Sequence, residues 1–155
     1  MEIRKLTETD YAQVAELHYA LDTFHVQARP DFFRHRTKEE VYPKDAYLHN
    51  LSYPGGLEIG AFEGELLVGT VQATLWEESG MIKDVKTVCL DNIFVLPDYR
   101  RRGIAAALFN AVEVWAKEQN AVRMDLYTWA FNEDAIAMYR AMGMTPQRYV
   151  FEKQL

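Results

Sequence analysis

The sequence predicts a single α/β domain of 155 residues, with a mixed, mainly antiparallel sheet and helices on both faces. Two strand patterns joined by a tight turn, residues 57–62 and 66–76, imply an early antiparallel hairpin. Later strand and helix patterns alternate, which implies strand–helix–strand crossovers and a mixed sheet. No repeat, low-complexity tract or linker divides the chain, and 155 residues suffice for one real core.

Taken in order, Glu2-Ile3-Arg4-Lys5-Leu6 alternates and predicts a short first strand. Thr7-Glu8-Thr9-Asp10 supplies N-cap chemistry for a helix whose Val14, Leu17, Leu21 and Phe24 share a face. His18 and His25 lie on a neighbouring face, but no acidic or thiol ligand joins them at metal-binding spacing. Pro30 ends this helix, and a basic, aromatic segment follows to Arg36. Thr37-Lys38-Glu39-Glu40 forms a capping box for a second helix, which Pro43 interrupts before a restart toward Asn50.

After the turn at Tyr53-Pro54-Gly55-Gly56 come the two hairpin strands, joined at Glu63-Gly64-Glu65. Residues 77–85 predict a polar connection, and Lys86 to Leu96 the long central strand. Ile104, Leu108, Ala111, Val112 and Trp115 have core spacing in a helix running to about Gln119. Residues 122–128 alternate as a further strand. Asn132-Glu133-Asp134 starts the next helix and Gly143 ends it. Arg148 to Lys153 alternates again and predicts a last strand.

Composition narrows the partners. A net charge of −6 argues against a general nucleic-acid binder and suits an amine acceptor better. The one cysteine, Cys89, rules out an internal disulfide and fits a reducing compartment. No apolar run approaches 18 residues, and the charged start is unlike a signal peptide, so the expectation is a cytoplasmic protein without a membrane partner.

The chemistry-bearing stretch runs from Asn92 to Phe109. An apolar strand through Ile93, Phe94 and Val95 ends at Pro97, a polar turn follows, and Arg100, Arg101 and Arg102 lead to Gly103 and a helix opening with Ile104 and Ala105. The first N–H groups of a helix lack internal partners and its dipole favours anions, so this arrangement predicts a phosphate site. A P-loop would need Lys then Ser or Thr after its glycine, and Ile104-Ala105 supply neither.

Arg100-x-x-Gly103-x-Ala105 after such a strand resembles the acyl-CoA loop of the GNAT superfamily of N-acetyltransferases. Asn132-x-x-Ala135-x-x-x-Tyr139-x-x-x-Gly143 resembles their second segment, with Met144 where Phe is usual. The order of elements also matches that fold over nearly the whole chain. The resemblance implies acetyl-CoA as co-substrate, held by Ile93, Phe94 and Val95, by Arg100 to Ala105 and by Asn132. It implies Tyr139 as the phenol beside the cofactor sulfur, and it calls for no metal. Asn132 also reads as a simple N-cap, and Tyr139 as a core aromatic.

Direct transfer to an amine needs a proton acceptor, because an aliphatic amine with a pKa of about 10.4 is mostly protonated at neutral pH. Alternation places Cys89, Asp91, Ile93 and Val95 on one strand face, which makes Asp91 a carboxylate among apolar neighbours. Asp91, Asn92 (should a bulge shift the alternation) and a water chain all remain candidates, as does a structural role for Asp91. Cys89 reads as a buried small hydrophobe. The function expected is N-acetyl transfer to a small-molecule or peptide amine, and the resemblance implies that a homodimer is a common assembly. The alternatives are a non-catalytic acyl-CoA-binding regulatory domain and an interaction module whose basic turn binds acidic partners.

Overall fold

The computed structural model describes residues 1–81 and 83–155. Ile82, inside the predicted polar connection, lies outside the described residues. Strands β1 (Glu2–Lys5), β2 (Gly56–Glu63), β3 (Leu66–Glu78), β4 (Val85–Val95) and β5 (Arg123–Leu126) form one sheet in sequence order. The first three pairings are antiparallel and β4–β5 is parallel. That parallel pair is joined by α4 (Ile104–Glu118), the crossover the sequence predicts.

Helices α1 (Tyr11–Ala28), α2 (Lys38–Val41) and α3 (Lys44–Ser52) precede the hairpin, and α5 (Glu133–Ala141) follows β5. The predicted caps form. Thr7 and Asp10 make a capping box ahead of α1, and Thr37 and Glu40 make another at α2. Pro43 separates α2 from α3, as its missing N–H requires. Gly64 turns the hairpin with φ of +60°.

Each sheet face has its own core. On one, Leu57, Ile59, Val71, Val88 and Leu90 pack against Ile104, Leu108 and Val112 of α4. On the other, Phe62, Leu67 and Phe94 pack against Val14 and Leu17 of α1, Tyr42, and Tyr47 of α3. Gly69 sets the spacing on the α4 side. A Cβ there would stand 3.2 Å from Ile104 Cγ2, so the start of α4 sits directly on β3.

Two expectations fail. Residues 148–153 form no strand; Val150 and Phe151 are each 91% exposed. Alternation alone cannot make a strand, which needs a neighbour's backbone groups, and none among the described residues is hydrogen-bonded to this tail. The tail is instead fixed by side chains: Glu152 accepts from Arg29 at 2.8 Å, and Arg148 lies over the Tyr127 ring.

The second concerns β4, where simple alternation fails and the alternative, a bulge that shifts it, is what forms. Gln72 pairs with Asn92 but Ala73 pairs with Leu90, so Asp91 is an extra residue in a β-bulge. The bulge resets the alternation. Ile93 and Val95 turn toward the α4 core, whereas Cys89, Asp91, Asn92 and Phe94 lie on the α1 side.

Candidate active site

The bulge coincides with a second break in the sheet. Among the described residues β5 pairs with β4 only from Thr87 to Leu90, so Asp91 through Val95 have no neighbouring strand there on that edge. This stretch thus stays paired to β3 on one side and borders a cleft on the other, with alternate residues turning their backbone groups to it. A strand edge of this kind is a template for an extended ligand with amide groups of its own.

This edge runs into the loop that carries the three arginines. After Val95 the chain makes a short 3-10 turn, Pro97–Tyr99, and Arg100 is extended. Arg101 and Gly103 are left-handed, with φ of 62° and 80°. Left-handed residues in such a loop aim successive N–H groups into a concavity that suits an anion. Gly103 is the N-cap of α4, and the first intrahelical bond runs from Ala107 N–H to its carbonyl. The N–H groups of Ile104 and Ala105 precede that bond and face outward at the positive end of the helix.

The three arginines differ. Arg100 Nε donates to Val95 O at 3.0 Å and its guanidinium stands over Phe94, so it braces the loop. Arg102 similarly donates to Asp98 O and covers Tyr99. Arg101 is exposed, with no hydrogen-bond partner among the described residues, and its strained backbone presents it to solvent. A Cβ added at Gly103 would meet nothing within 4 Å, so the space in front of the loop is open for a diphosphate to approach the backbone. Helix terminus, left-handed glycine and cationic rim together fit the pyrophosphate of coenzyme A.

Asn132 is the N-cap of α5, its Oδ1 accepting from Ala135 N–H at 3.4 Å. The capping bond uses the oxygen and leaves the Nδ2 donors available. Tyr139, on the same helix, is half-buried against the α4-side core. Burial pushes its phenol up to about 12, so it remains protonated at neutral pH.

At the bulge, Asp91 Oδ2 accepts from Thr74 Oγ1 at 2.6 Å. Desolvation raises the Asp91 pKa despite hydrogen bonds from Thr74 and Cys89, and the Asp125 charge adds to the rise. Cys89, 9% exposed, is pushed up to about 12 by burial and then by Asp91 and Asp125. It is a thiol at neutral pH and no nucleophile.

The acetyltransferase (GNAT) family model matches residues 20–144. The chain belongs to this family. A tetramutant of the BH1408 protein of Bacillus halodurans superposes with a TM-score of 0.93 at 25% identity, covering 100% of both chains. The aminoglycoside 6'-N-acetyltransferase AAC(6')-IG of Acinetobacter haemolyticus, at 21% identity over 100% of this chain and 99% of that one, shares the fold with a TM-score of 0.76. Aminoglycoside N-acetyltransferase AAC(6')-Iy, solved in complex with CoA, shares it with a TM-score of 0.73 at 21% identity over 99% of each chain. In sequence, the aminoglycoside N(6')-acetyltransferase type 1 of Acinetobacter baumannii is 39% identical over 66 residues, 42% of this chain and 45% of that protein. The chain thus spans about half the length of the curated relatives it matches.

Within this GNAT domain Asp91, Ile93, Phe94 and Val95 lie on the stretch of β4 beyond its last pairing with β5, and the Arg100–Ala105 loop follows it directly in the chain. Asn132 and Tyr139 are placed on α5, which follows β5 beyond the break. His18 and His25 separate: His18 stacks on Tyr42 at 4.0 Å, and His25 packs against Phe33 and Phe131.

Sequence reasoning missed two groups. Phe32, Phe33, Trp129 and Phe131 form an aromatic wall linking the segment after α1 to the loop after β5. Its signal was present as closely spaced aromatics in two remote segments. The other group is Glu58, 5% exposed on β2, with Tyr42 donating to its Oε1 at 2.7 Å. Its signal was an acid between Leu57 and Ile59, in a strand covered on both faces.

Proposed function

We propose that this chain transfers an acetyl group from acetyl-CoA directly to the primary amine of a small molecule, both substrates being bound at once. The observation that carries this reading is the unpaired β4 edge, opened by a bulge at Asp91 and ending at the left-handed Gly103 and the α4 N-terminus. The edge suits the amide-bearing pantetheine arm, and the loop suits the pyrophosphate. Kinship with aminoglycoside acetyltransferases supports a small-molecule amine as acceptor.

Each remaining residue has one task. Gly103, Ile104 and Ala105 present backbone donors to the diphosphate, and Arg101 and Arg102 add charge around it. Asn132 donates from Nδ2 to a pantetheine carbonyl. Backbone donors near the Asp91 bulge face the thioester oxygen as negative charge develops there. Asp91 attracts the ammonium of the acceptor and takes its proton, which frees the nitrogen lone pair for attack. The new C–N bond forms as the C–S bond breaks, Tyr139 gives its phenolic proton to the departing sulfur, and the second proton shed by the acceptor nitrogen as it becomes an amide restores the phenol. Holding both reactants on one strand edge supplies much of the acceleration.

Release of free CoA thiol, followed with a chromogenic disulfide across polyamines, aminoglycosides, amino acids and simple aryl- and alkylamines, tests the proposal. Thiol release that depends on one of these amines is the expected result. Saturable acetyl-CoA binding with no release for any amine would instead establish the non-catalytic acyl-CoA-binding domain.

A further inference from the structure

Three buried polar atoms have no hydrogen-bond partner among the described residues on the α1 side of the sheet: Glu58 Oε2, Asn92 Oδ1 and His18 Nε2. They belong to one connected group. Glu58 pairs in register with Gln72, and Gln72 with Asn92, so the three side chains form a row across β2, β3 and β4. Asn92 Nδ2 donates to Gln72 Oε1 at 2.7 Å, which ties two of them together. Tyr42 donates to Glu58 and is stacked beneath His18. Asn92 adjoins Asp91 in the bulge, so one end of the row lies at the reacting centre. At the other end a void of about 60 Å³ borders Glu58, lined by Lys5, Leu6, Asn50 and Leu57 among others. A void of this size admits water.

We propose that Glu58 is the second carboxylate of the site, receiving by way of water along the Gln72–Asn92 row the proton that the acceptor amine gives up at Asp91, and releasing it through the void beside β1 and α3. The inference rests on the acetyl-transfer function proposed above. Asp91 opens onto the same cleft that the two substrates fill, so its direct path to bulk solvent closes when both are bound. Glu58 has a separate way out. The steps balance: an ammonium N–H bond breaks and the proton protonates Asp91; Asp91 passes it by water to Glu58; Glu58 returns to carboxylate on giving it to water in the void. Glu58 is therefore a positioning residue for a proton and makes no contact with the acceptor.

The electrostatics agree. Burial raises the Glu58 pKa to about 7, opposed by the Tyr42 hydrogen bond and assisted by the Asp91 charge. The groups facing it are Tyr42, Tyr47 and Asn50 on the α2–α3 side, Lys5 of β1 at the rim of the void, His18 of α1 above Tyr42, and Asp91 of β4. Burial lowers His18 to about 4, so it is neutral and adds no charge there at neutral pH.

The test compares pH profiles of kcat for the parent, Glu58→Gln and Tyr42→Phe, with acetyl-CoA affinity and a thermal melt on each. The parent rate should rise with pH through about 7, because the carboxylate must be unprotonated to accept. Glu58→Gln should remove that limb and lower the plateau at least about tenfold, at unchanged acetyl-CoA affinity. Tyr42→Phe removes a hydrogen bond that stabilises the carboxylate, so its limb should move to higher pH. A Glu58 that merely anchors Tyr42 would lower the melting temperature and leave the limb where it was in both variants, which would overturn the proposal. Infrared difference spectra give a readout independent of turnover. A buried carboxyl band titrating near pH 7 in the parent supports the assignment, and its absence refutes it while leaving acetyl transfer intact. A parent that acetylates no amine refutes the functional reading itself, and this inference with it.

Discussion

Replacing Gly103 with Ala separates backbone strain from ligand binding. Gly103 has φ of +80° and Gly143, after α5, has φ of +87°, and a Cβ at either would meet no atom within 4 Å. An L-residue in the left-handed region costs roughly 1–2 kcal/mol, so both Gly103→Ala and Gly143→Ala should lose about that much stability. For a chain of this size that corresponds to a melting-temperature drop of roughly 2–8 °C. Only Gly103 stands where a diphosphate must approach the α4 N-terminus. Its added methyl should displace at least one hydrogen bond between a backbone N–H and a charged phosphate oxygen. Such a bond contributes roughly 1.5–3 kcal/mol, which corresponds to acetyl-CoA binding weakened by roughly 10- to 150-fold. Calorimetric titration with acetyl-CoA, paired with melts of both variants, reads the two effects separately. Parental affinity in folded Gly103→Ala, or an equal loss in Gly143→Ala, would refute the assignment of the diphosphate to this loop.

Other outcomes follow from the same geometry. Tyr139→Phe keeps the ring against the α4-side core and removes one proton donor, so turnover should fall by about 10²–10⁴-fold with little change in acetyl-CoA affinity; steady-state kinetics and titration on one preparation check this, and full turnover would assign Tyr139 to packing alone. Arg4 donates two hydrogen bonds to Asp10 and holds its carboxyl down at about 2. A depressed carboxylate contributes stability that is fully present above its unfolded pKa of about 3.9 and is lost as pH falls through the folded value. Urea unfolding should therefore show stability falling between pH 4 and pH 2, with a shallower fall in Asp10→Asn.

Local chemistry made much of the fold legible. Thr37 and Glu40 announced a capped helix, Gly64 a hairpin, and Ile104, Leu108 and Val112 a core-facing helix, because caps, turns and 3.6-residue spacing act within one segment. The loop before α4 was legible for the same reason, since Arg100, Gly103 and Ala105 lie close together in the chain. Features created by pairing were legible as open alternatives at most. The bulge at Asp91 exists only in register with Gln72 and Ala73 of β3, and it reverses the faces of Ile93 and Val95 that simple alternation assigns. Glu58 stands between Leu57 and Ile59 with nothing local to mark it, and it is buried because α3 and Tyr42 cover that face. The tail from Arg148 to Lys153 has strand alternation but no ladder to join, and its order comes from Arg29–Glu152 instead.

In the proposed complex the cleft along Asp91–Val95 and the α4 N-terminus together hold acyl-CoA. Backbone amide NMR of the whole chain, titrated with CoA, addresses it residue by residue. The largest shifts should fall on Ile93, Phe94 and Val95 and on Gly103, Ile104 and Ala105, with the side-chain amide of Asn132 moving in step. Saturable shifts confined to other surfaces, with these amides unmoved, would contradict the account.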